Sequence, residues 1–142
     1  MFSGSDIPRD TIQAYLETHY HVHGDAPTTL KVGDFCPTLS ALHAAASVEC
    51  SAFITACNPF SQELDDAENA LRQVALAHTL RQRGLITLDG VGQHPTNRWT
   101  GEASFLALGL SLSDARSLGA EHGQNAIVWA GADAVPQLIL LR

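Results

Sequence analysis

Six polar side chains lie at the ends of apolar segments or on one helix, where they could meet around a small ligand. They are Asn58, Ser61, Asn69, Arg72, Glu102 and Gln124. Together they would supply amide groups, a carboxylate and a guanidinium, a combination that suits a small polar ligand in a pocket. Trp99 could line the same pocket, although a packing role would also explain it.

Local structural roles are the alternative for several of these residues. Asn58 precedes Pro59, and asparagine in such a position is a frequent turn former. Ser61 would be a favourable N-cap for a helix that begins there. Glu102 and Gln124 could bond loop backbone, since buried polar groups need partners. The sequence leaves both interpretations open.

Glu102 also allows a different class of protein, an enzyme. A carboxyl group that is buried in a cleft has a raised pKa and can act as a general acid or base near neutral pH. The amide side chains would then orient the substrate. We therefore keep Glu102 as a candidate catalytic residue.

Nucleophilic catalysis has less support in the sequence. Cys57 or Ser61 would need a nearby histidine with an orienting acid, and His94 and His122 are the histidines considered. No spacing pairs either histidine with a nucleophile. A buried Cys57 would also have a raised pKa, which makes a thiol unreactive.

Three histidines, His19, His21 and His23, alternate along one segment. Alternate side chains of a strand project from one face, so the three rings could share a metal ion such as zinc. Glu17 or Asp25 would have to complete the site. The alternative is a solvated histidine face on an edge strand, and we predict no metal site and no cofactor.

Hydrophobic patterns predict the elements that would position these residues. The apolar run 51–57 predicts a buried strand, and the Asn-Pro pair after it ends that strand. A long helix is predicted over 61–83, with Ser61 as its N-cap, acidic residues in its first turns and basic residues in its last. Apolar spacing predicts an inward stripe made of Leu64, Ala67, Leu71, Val74, Ala75 and His78.

Helices and strands alternate along the rest of the chain. In order, the predicted elements are a helix from Pro8, strands over 18–23 and 28–32, a helix from Pro37, the strand 51–57, the helix 61–83, a strand over 85–88, a glycine-bearing loop over 89–97, a strand over 103–110, a helix capped by Ser113, and strands over 125–130 and 135–141. This order indicates one α+β domain over 1–142, with a mixed, mostly antiparallel sheet and about four helices packed mainly on one face.

Composition restricts the kind of partner. Of the 142 residues, 45% are hydrophobic and 16% are charged, which is typical of a globular domain. The net charge of -7 opposes binding to nucleic acid or to an anionic membrane surface. No apolar run approaches the ~20 residues of a membrane span, and the N-terminus lacks a signal-peptide pattern. We therefore expect a cytoplasmic protein whose partner is a small polar molecule or another protein.

A set of residues occurs in one order along the chain: Ala56, Asn58, Pro59, Ser61, Asn69, Gly90, Gly92, Trp99, Glu102, Ser104, Gly109 and the run 123–127. In these residues the chain resembles a family of small bacterial proteins known only as domain of unknown function 3293. The resemblance is best over about residues 53–128 and implies a single compact bacterial domain. It implies no activity. Cys57 stands where we associate the family with an aromatic residue.

Three functions are compatible with these observations. The first is binding of a small polar ligand or a protein partner near Asn58, Asn69, Glu102 and Gln124. The second is an enzyme that uses Glu102 as general acid or base. The third is a structural or interaction protein without a small-molecule site, which an exposed apolar patch or a long unpaired edge strand would favour. An exposed Glu102, or one far from Asn69, would exclude the enzyme, and pairing of Glu102 with Arg72 would favour a structural role.

Overall fold

A computed structural model gives the fold and describes residues 5–96 and 101–142. The helices of this part of the chain are α1 (Arg9–Glu17), α2 (Pro37–Ala45), α3 (Asp66–Gln82) and α4 (Leu112–Glu121). The strands are β1 (His19–Val22), β2 (Thr28–Leu30), β3 (Ser51–Ile54), β4 (Ile86–Gln93), β5 (Glu102–Leu108), β6 (Ala126–Ala130) and β7 (Gln137–Leu140). A short 3₁₀ turn, Pro59–Ser61, comes after β3.

The seven strands form one sheet in the order β2-β1-β4-β5-β3-β6-β7. Every neighbouring pair of strands is antiparallel. The prediction of an α+β domain with about four helices and a mostly antiparallel sheet is therefore confirmed. At the centre, β4 and β5 pair from Ile86 opposite Leu108 to Gly92 opposite Glu102.

The sheet curls toward one of its faces. Gly33, just after β2, donates its N–H to Pro136 O, just before β7, at 2.8 Å, although β2 and β7 are the opposite edges of the sheet. Leu30 of β2 and Leu138 of β7 also belong to the same core cluster. The face that carries these two leucines is therefore the inner face of the curl.

Two cores lie on the two faces of the sheet. The inner core includes Ile12 of α1, Leu39 of α2 and the strand residues Phe53 and Leu106. The outer core includes Leu76 and Leu80 of α3, Leu118 of α4 and the strand residues Ile54 and Ala107. Two helices thus pack on each face, whereas we expected the helices mainly on one face. The central strands bury apolar side chains on both faces, so both faces must be covered.

The long helix begins at Asp66 rather than at Ser61, because Asp65 is its N-cap. Asp65 Oδ1 accepts the N–H of Glu68 at 2.8 Å, which satisfies one of the free amides of the first turn. The segment between Pro59 and Asp65 instead forms the 3₁₀ turn and a short loop. The prediction of Ser61 as helix cap is therefore wrong.

The predicted inward stripe of α3 is also wrong. Leu71 and Val74 are 72% and 67% exposed, and the residues that α3 buries are Leu76 and Leu80. Asn69 shares their side of the helix, seven residues before Leu76. The first half of the inward face is therefore polar, which apolar spacing alone could not reveal.

Strand β4 continues through the glycine segment that we predicted as a loop. Gly90 and Gly92 both lie in the ladder between β1 and β5. A Cβ atom at Gly90 would lie 2.5 Å from His21 O and 2.7 Å from the Phe53 ring, so a side chain there would push the ring out of the inner core. At Gly92 the nearest atom would be 3.6 Å away on the Tyr20 ring, which is an ordinary contact.

We predict that Gly90→Ala destabilises the protein by about 1–3 kcal/mol, because the added methyl group overpacks the inner core. Gly92→Ala is the matched control and should change the free energy of unfolding by less than about 1 kcal/mol. Urea denaturation followed by circular dichroism measures both values. Equal stability of the two variants would contradict this packing.

Candidate functional site

A cavity of about 320 Å³ lies at the end of the curled sheet where β3 ends and β5 begins. Its walls come from the inner face of the sheet, from α1 and from the segments after β3 and before β6. Phe53, Val128 and Leu138 are among its apolar lining residues. A few polar groups set among apolar walls are typical of small-molecule sites, which often lie in the mouths of curled or closed sheets.

Four residues that we predicted from the sequence line this cavity: Asn58, Ser61, Glu102 and Gln124. Asn69 does not line it and stands behind Asn58, to which it is bonded. The structure therefore brings together side chains that are far apart in the sequence. Whether they bind a ligand remains a prediction.

Arg72 has a different position from the one we expected. Its Nε donates to Ala56 O at 2.7 Å and its Nη2 donates to His122 O at 2.6 Å. It therefore ties together the backbone segments after β3 and α4, and it does not bond Glu102. Trp99, the other predicted lining residue, lies outside the described residues.

Asn58 is held by Asn69 through two reciprocal hydrogen bonds. Asn58 N–H donates to Asn69 Oδ1 at 2.9 Å, and Asn69 Nδ2 donates to Asn58 Oδ1 at 2.8 Å. Leu64 N–H donates to the same Asn58 oxygen at 2.9 Å. These bonds hold Asn58 in the left-handed region, with φ of 47° and ψ of 62°, which asparagine adopts more readily than most residues. The amide of Asn58 is thereby fixed at the cavity wall.

Glu102 receives its hydrogen bond from this fixed amide. Asn58 Nδ2 donates to Glu102 Oε2 at 2.8 Å. Burial raises the pKa of Glu102, and the bond from Asn58 opposes only part of that effect. Glu102 is partly buried and is linked to Asn69 through Asn58. It is therefore neither exposed nor far from Asn69, the two conditions that would have excluded an enzyme.

Ser61 belongs to a second polar cluster at the cavity wall. Its hydroxyl bonds the Tyr15 hydroxyl, and Asn125 Nδ2 donates to both oxygens at 3.1 Å. Arg142 Nη1 donates to Asn125 Oδ1 at 3.0 Å. Sequence reasoning missed Tyr15 and Asn125. Asn125 could have been predicted from its position directly after Gln124. Tyr15 could not, because the sequence indicated only that it lies on the apolar face of a helix.

The described geometry gives no support to a nucleophile. Cys57 is buried, and burial raises the pKa of its thiol, which disfavours the reactive thiolate. The bonds of Ser61 go to Tyr15 and Asn125 and not to a histidine. His94 lines the cavity, and its Nε2 lies 3.1 Å from Glu17 Oε1.

The histidine triplet does not converge on a common point. His19 and His21 lie on the same side of β1, with ring centroids 6.0 Å apart, and His21 Nδ1 bonds Thr29 Oγ1 at 2.9 Å. His23 lies beyond the end of β1 and is exposed. In residues 5–96 and 101–142, no three His, Cys, Asp or Glu side chains are grouped to hold a metal ion.

Helix length and hydropathy bear on membrane insertion. None of the helices that the structure describes is long and apolar enough to cross a membrane.

The fold and the cavity define a class: a single-domain α+β protein with a pocket at the open end of a curled antiparallel sheet. The family model described as "Protein of unknown function (DUF3293)" matches residues 54–127, just over half of the chain. The chain belongs to this family, and the resemblance inferred from the sequence is confirmed. No curated protein and no solved structure matches the chain. The matched segment contains Asn58, Asn69 and Glu102.

We predict that Glu102→Gln has a higher free energy of unfolding than the wild type, and that this difference grows as the pH rises above 4.5, the ordinary pKa of this carboxyl. The pKa of Glu102 is raised in the folded state, so the wild type loses this part of its stability as the pH rises through the folded-state value. Glutamine can still accept the bond from Asn58 and does not ionise. Urea denaturation at a series of pH values measures the difference.

Glu63→Gln is the control for this series, because Glu63 lines the same cavity but is exposed. It should show no comparable gain with rising pH. If the stability difference between Glu102→Gln and the wild type stays constant across the series, the pKa of Glu102 is not raised in the folded state.

Proposed function

We propose that this protein binds a small ligand in the cavity beside Glu102. The main support is a partly buried carboxyl that faces a cavity and makes no ion pair within the described residues. A buried ionisable group without a charged partner lowers stability, so such groups concentrate at functional sites. A cavity of about 320 Å³ also falls within the roughly 300–1,000 Å³ of typical ligand pockets.

Backbone strain beside the cavity supports the same proposal. Asn58, Phe60 and Ser61 all have positive φ, and Phe60 at 56° is a bulky residue that rarely adopts this conformation. Residues in such conformations cost about 1–3 kcal/mol each and cluster at functional sites. The turn is held by the bond from Phe60 N–H to Gly123 O at 2.7 Å and by the Arg142 guanidinium, 4.7 Å from the centroid of the Phe60 ring.

The cellular setting that we infer is the bacterial cytoplasm. The three cysteines, Cys36, Cys50 and Cys57, are free, which suits a reducing compartment. The net charge of -7 disfavours nucleic acid and anionic membranes as partners. A small molecule is therefore the partner that the site and the charge together favour.

An enzyme that uses Glu102 as general acid or base is the second candidate, and the raised pKa of that carboxyl favours it. The two candidates share the cavity and differ in whether the bound molecule is converted to a product. If the protein is an enzyme, Glu102→Gln should lower turnover of an identified ligand by about 10²-fold or more. Chemical conversion is monitored by NMR, and a ligand that the wild type leaves unchanged would argue for a binding protein.

A protein without a small-molecule site has less support. The edge strands β2 and β7 have only three and four residues, so neither offers a long template for another chain. Leu71 and Val74 form a small exposed apolar pair on α3. Scattered exposed apolar residues of this kind are normal on protein surfaces.

We predict that Gly92→Val abolishes binding of any ligand found in a thermal-shift screen of metabolites. Valine suits a strand, and its methyl groups would occupy the cavity beside the Tyr20 and Phe53 rings. A ligand that binds the native state raises the melting temperature of the wild type, and the variant should lose that shift while it stays folded by circular dichroism.

Ala103→Val is the matched control, because Ala103 is an exposed β5 residue that does not line the cavity. It should keep the ligand-induced shift. The proposal is wrong if no metabolite shifts the wild type, or if Gly92→Val responds as strongly as the wild type does.

A further inference from the structure

We propose that the ligand of this cavity is a small organic amine, bound as its ammonium ion, whose N–H groups donate to Glu102 and Gln124. This inference rests on the proposed function and adds the chemical class of the ligand.

Most hydrogen-bond donors of the cavity wall are already used within the protein. Four lining hydroxyl groups donate to backbone carbonyls: Thr18 Oγ1 to Ala14 O at 2.7 Å, Tyr20 OH to Tyr15 O at 2.7 Å, Thr55 Oγ1 to Ala103 O at 2.7 Å, and Ser104 Oγ to Glu102 O at 3.1 Å. The amino groups of Gln124 and Asn125 each make two hydrogen bonds. The second amino hydrogen of Asn58 and one proton of the Tyr15–Ser61 hydroxyl pair remain. Few side-chain donors of the wall are therefore left for a ligand.

Two side-chain acceptors of the wall also remain open, and one of them belongs to a carboxyl group. Glu102 Oε2 bonds Asn58, and Glu102 Oε1 has no partner within residues 5–96 and 101–142. Gln124 Nε2 donates to Cys57 O at 3.0 Å and to His122 O at 3.3 Å, which fixes the orientation of the amide. Gln124 Oε1 then also lacks a partner in this part of the chain.

These two oxygens are not enclosed by protein, and we infer that they face the cavity. Within the described residues, every buried side-chain nitrogen or oxygen has a hydrogen-bond partner, so oxygens without a partner must lie against open space. Glu102 and Gln124 both line the cavity. A ligand that satisfies the Gln124 oxygen and the ionised form of Glu102 must be a hydrogen-bond donor, because neither an amide oxygen nor a carboxylate can donate.

Charge favours an ammonium ion over a neutral donor. The titratable side chains of the described lining are Glu102, Glu63, His94, Tyr15 and Tyr20, and no lysine or arginine is among them. A cation beside Glu102 would stabilise the ionised carboxylate and so lower the pKa that burial has raised. An anionic ligand would add repulsion to the same carboxylate. Phe53, Val128 and Leu138 offer an apolar surface for the hydrocarbon part of the amine.

The experiment compares ligands that differ only in their polar group. The probes are benzylamine, benzyl alcohol and benzoate, with butylamine, butanol and butyrate as an aliphatic set, each titrated into the full chain by NMR. We expect the amine of each set to bind at least about tenfold more tightly than its alcohol or carboxylate, as a charge-assisted hydrogen bond implies. Glu102→Gln should weaken amine binding by about tenfold or more, and Glu63→Gln should weaken it by less than about threefold.

Proton exchange on binding is an independent measurement. Just above pH 4.5, the ordinary pKa of this carboxyl, burial keeps much of Glu102 protonated, and a bound ammonium ion should displace that proton. Calorimetry in two buffers of different ionisation enthalpy should therefore show proton release with the wild type and not with Glu102→Gln. Proton uptake would overturn the amine assignment.

The outcomes separate this inference from the proposed function. If the alcohols or carboxylates bind more tightly than the amines, and Gly92→Val abolishes that binding, the amine assignment is wrong but the cavity remains a ligand site. Failure of every probe to bind, or binding that Gly92→Val does not change, would overturn both proposals. Preferential amine binding that is lost in both Gly92→Val and Glu102→Gln supports both.

Discussion

The reciprocal amide pair between Asn58 and Asn69 is the contact on which the site depends. It joins the start of α3 to the segment after β3, at a point where α3 has no buried apolar residue. The same Asn58 side chain then bonds Glu102, which is 44 residues later in the chain. Three separate elements are thus held in register by one side chain whose hydrogen bonds are specific in direction, whereas apolar packing would not fix the orientation of the carboxyl.

The curl of the sheet creates the space, and glycine keeps it open. Tyr20, Gly92 and Glu102 lie side by side on three neighbouring strands. Since Gly92 has no side chain, the row contains an aromatic ring, a gap and a carboxyl on the same face. At Gly90, two residues away, the corresponding space is filled by the Phe53 ring. The inner core therefore ends and the cavity begins within two residues of β4.

The sequence was sufficient where local signals agree with tertiary packing. The hairpin of β1 and β2, the start of α2 at Pro37 and the buried strand β3 could be predicted from alternation, proline position and apolar runs. It was insufficient for α3, whose inward face starts with polar Asn69, because periodicity detects only apolar burial. At the site, Asn58, Glu102 and Gln124 could be named from their positions at element ends. Tyr15 could not, since its hydroxyl acts only after α1 packs against the turn that holds Ser61.

Amine binding and acid–base catalysis make opposite demands on Glu102. Catalysis near neutral pH uses the raised pKa that burial produces. An ammonium ion beside the carboxylate removes that property, because an opposite charge at short range stabilises the ionised form and lowers the pKa. The unfavourable free energy of the buried carboxylate, which raises the pKa of Glu102, is then relieved when the cation binds and so contributes to its affinity. If the free acceptors of this cavity bind an ammonium ion, the site is therefore better suited to recognition than to proton transfer. The hydrogen bond from Asn58 acts in the same direction, because it also stabilises the ionised carboxylate.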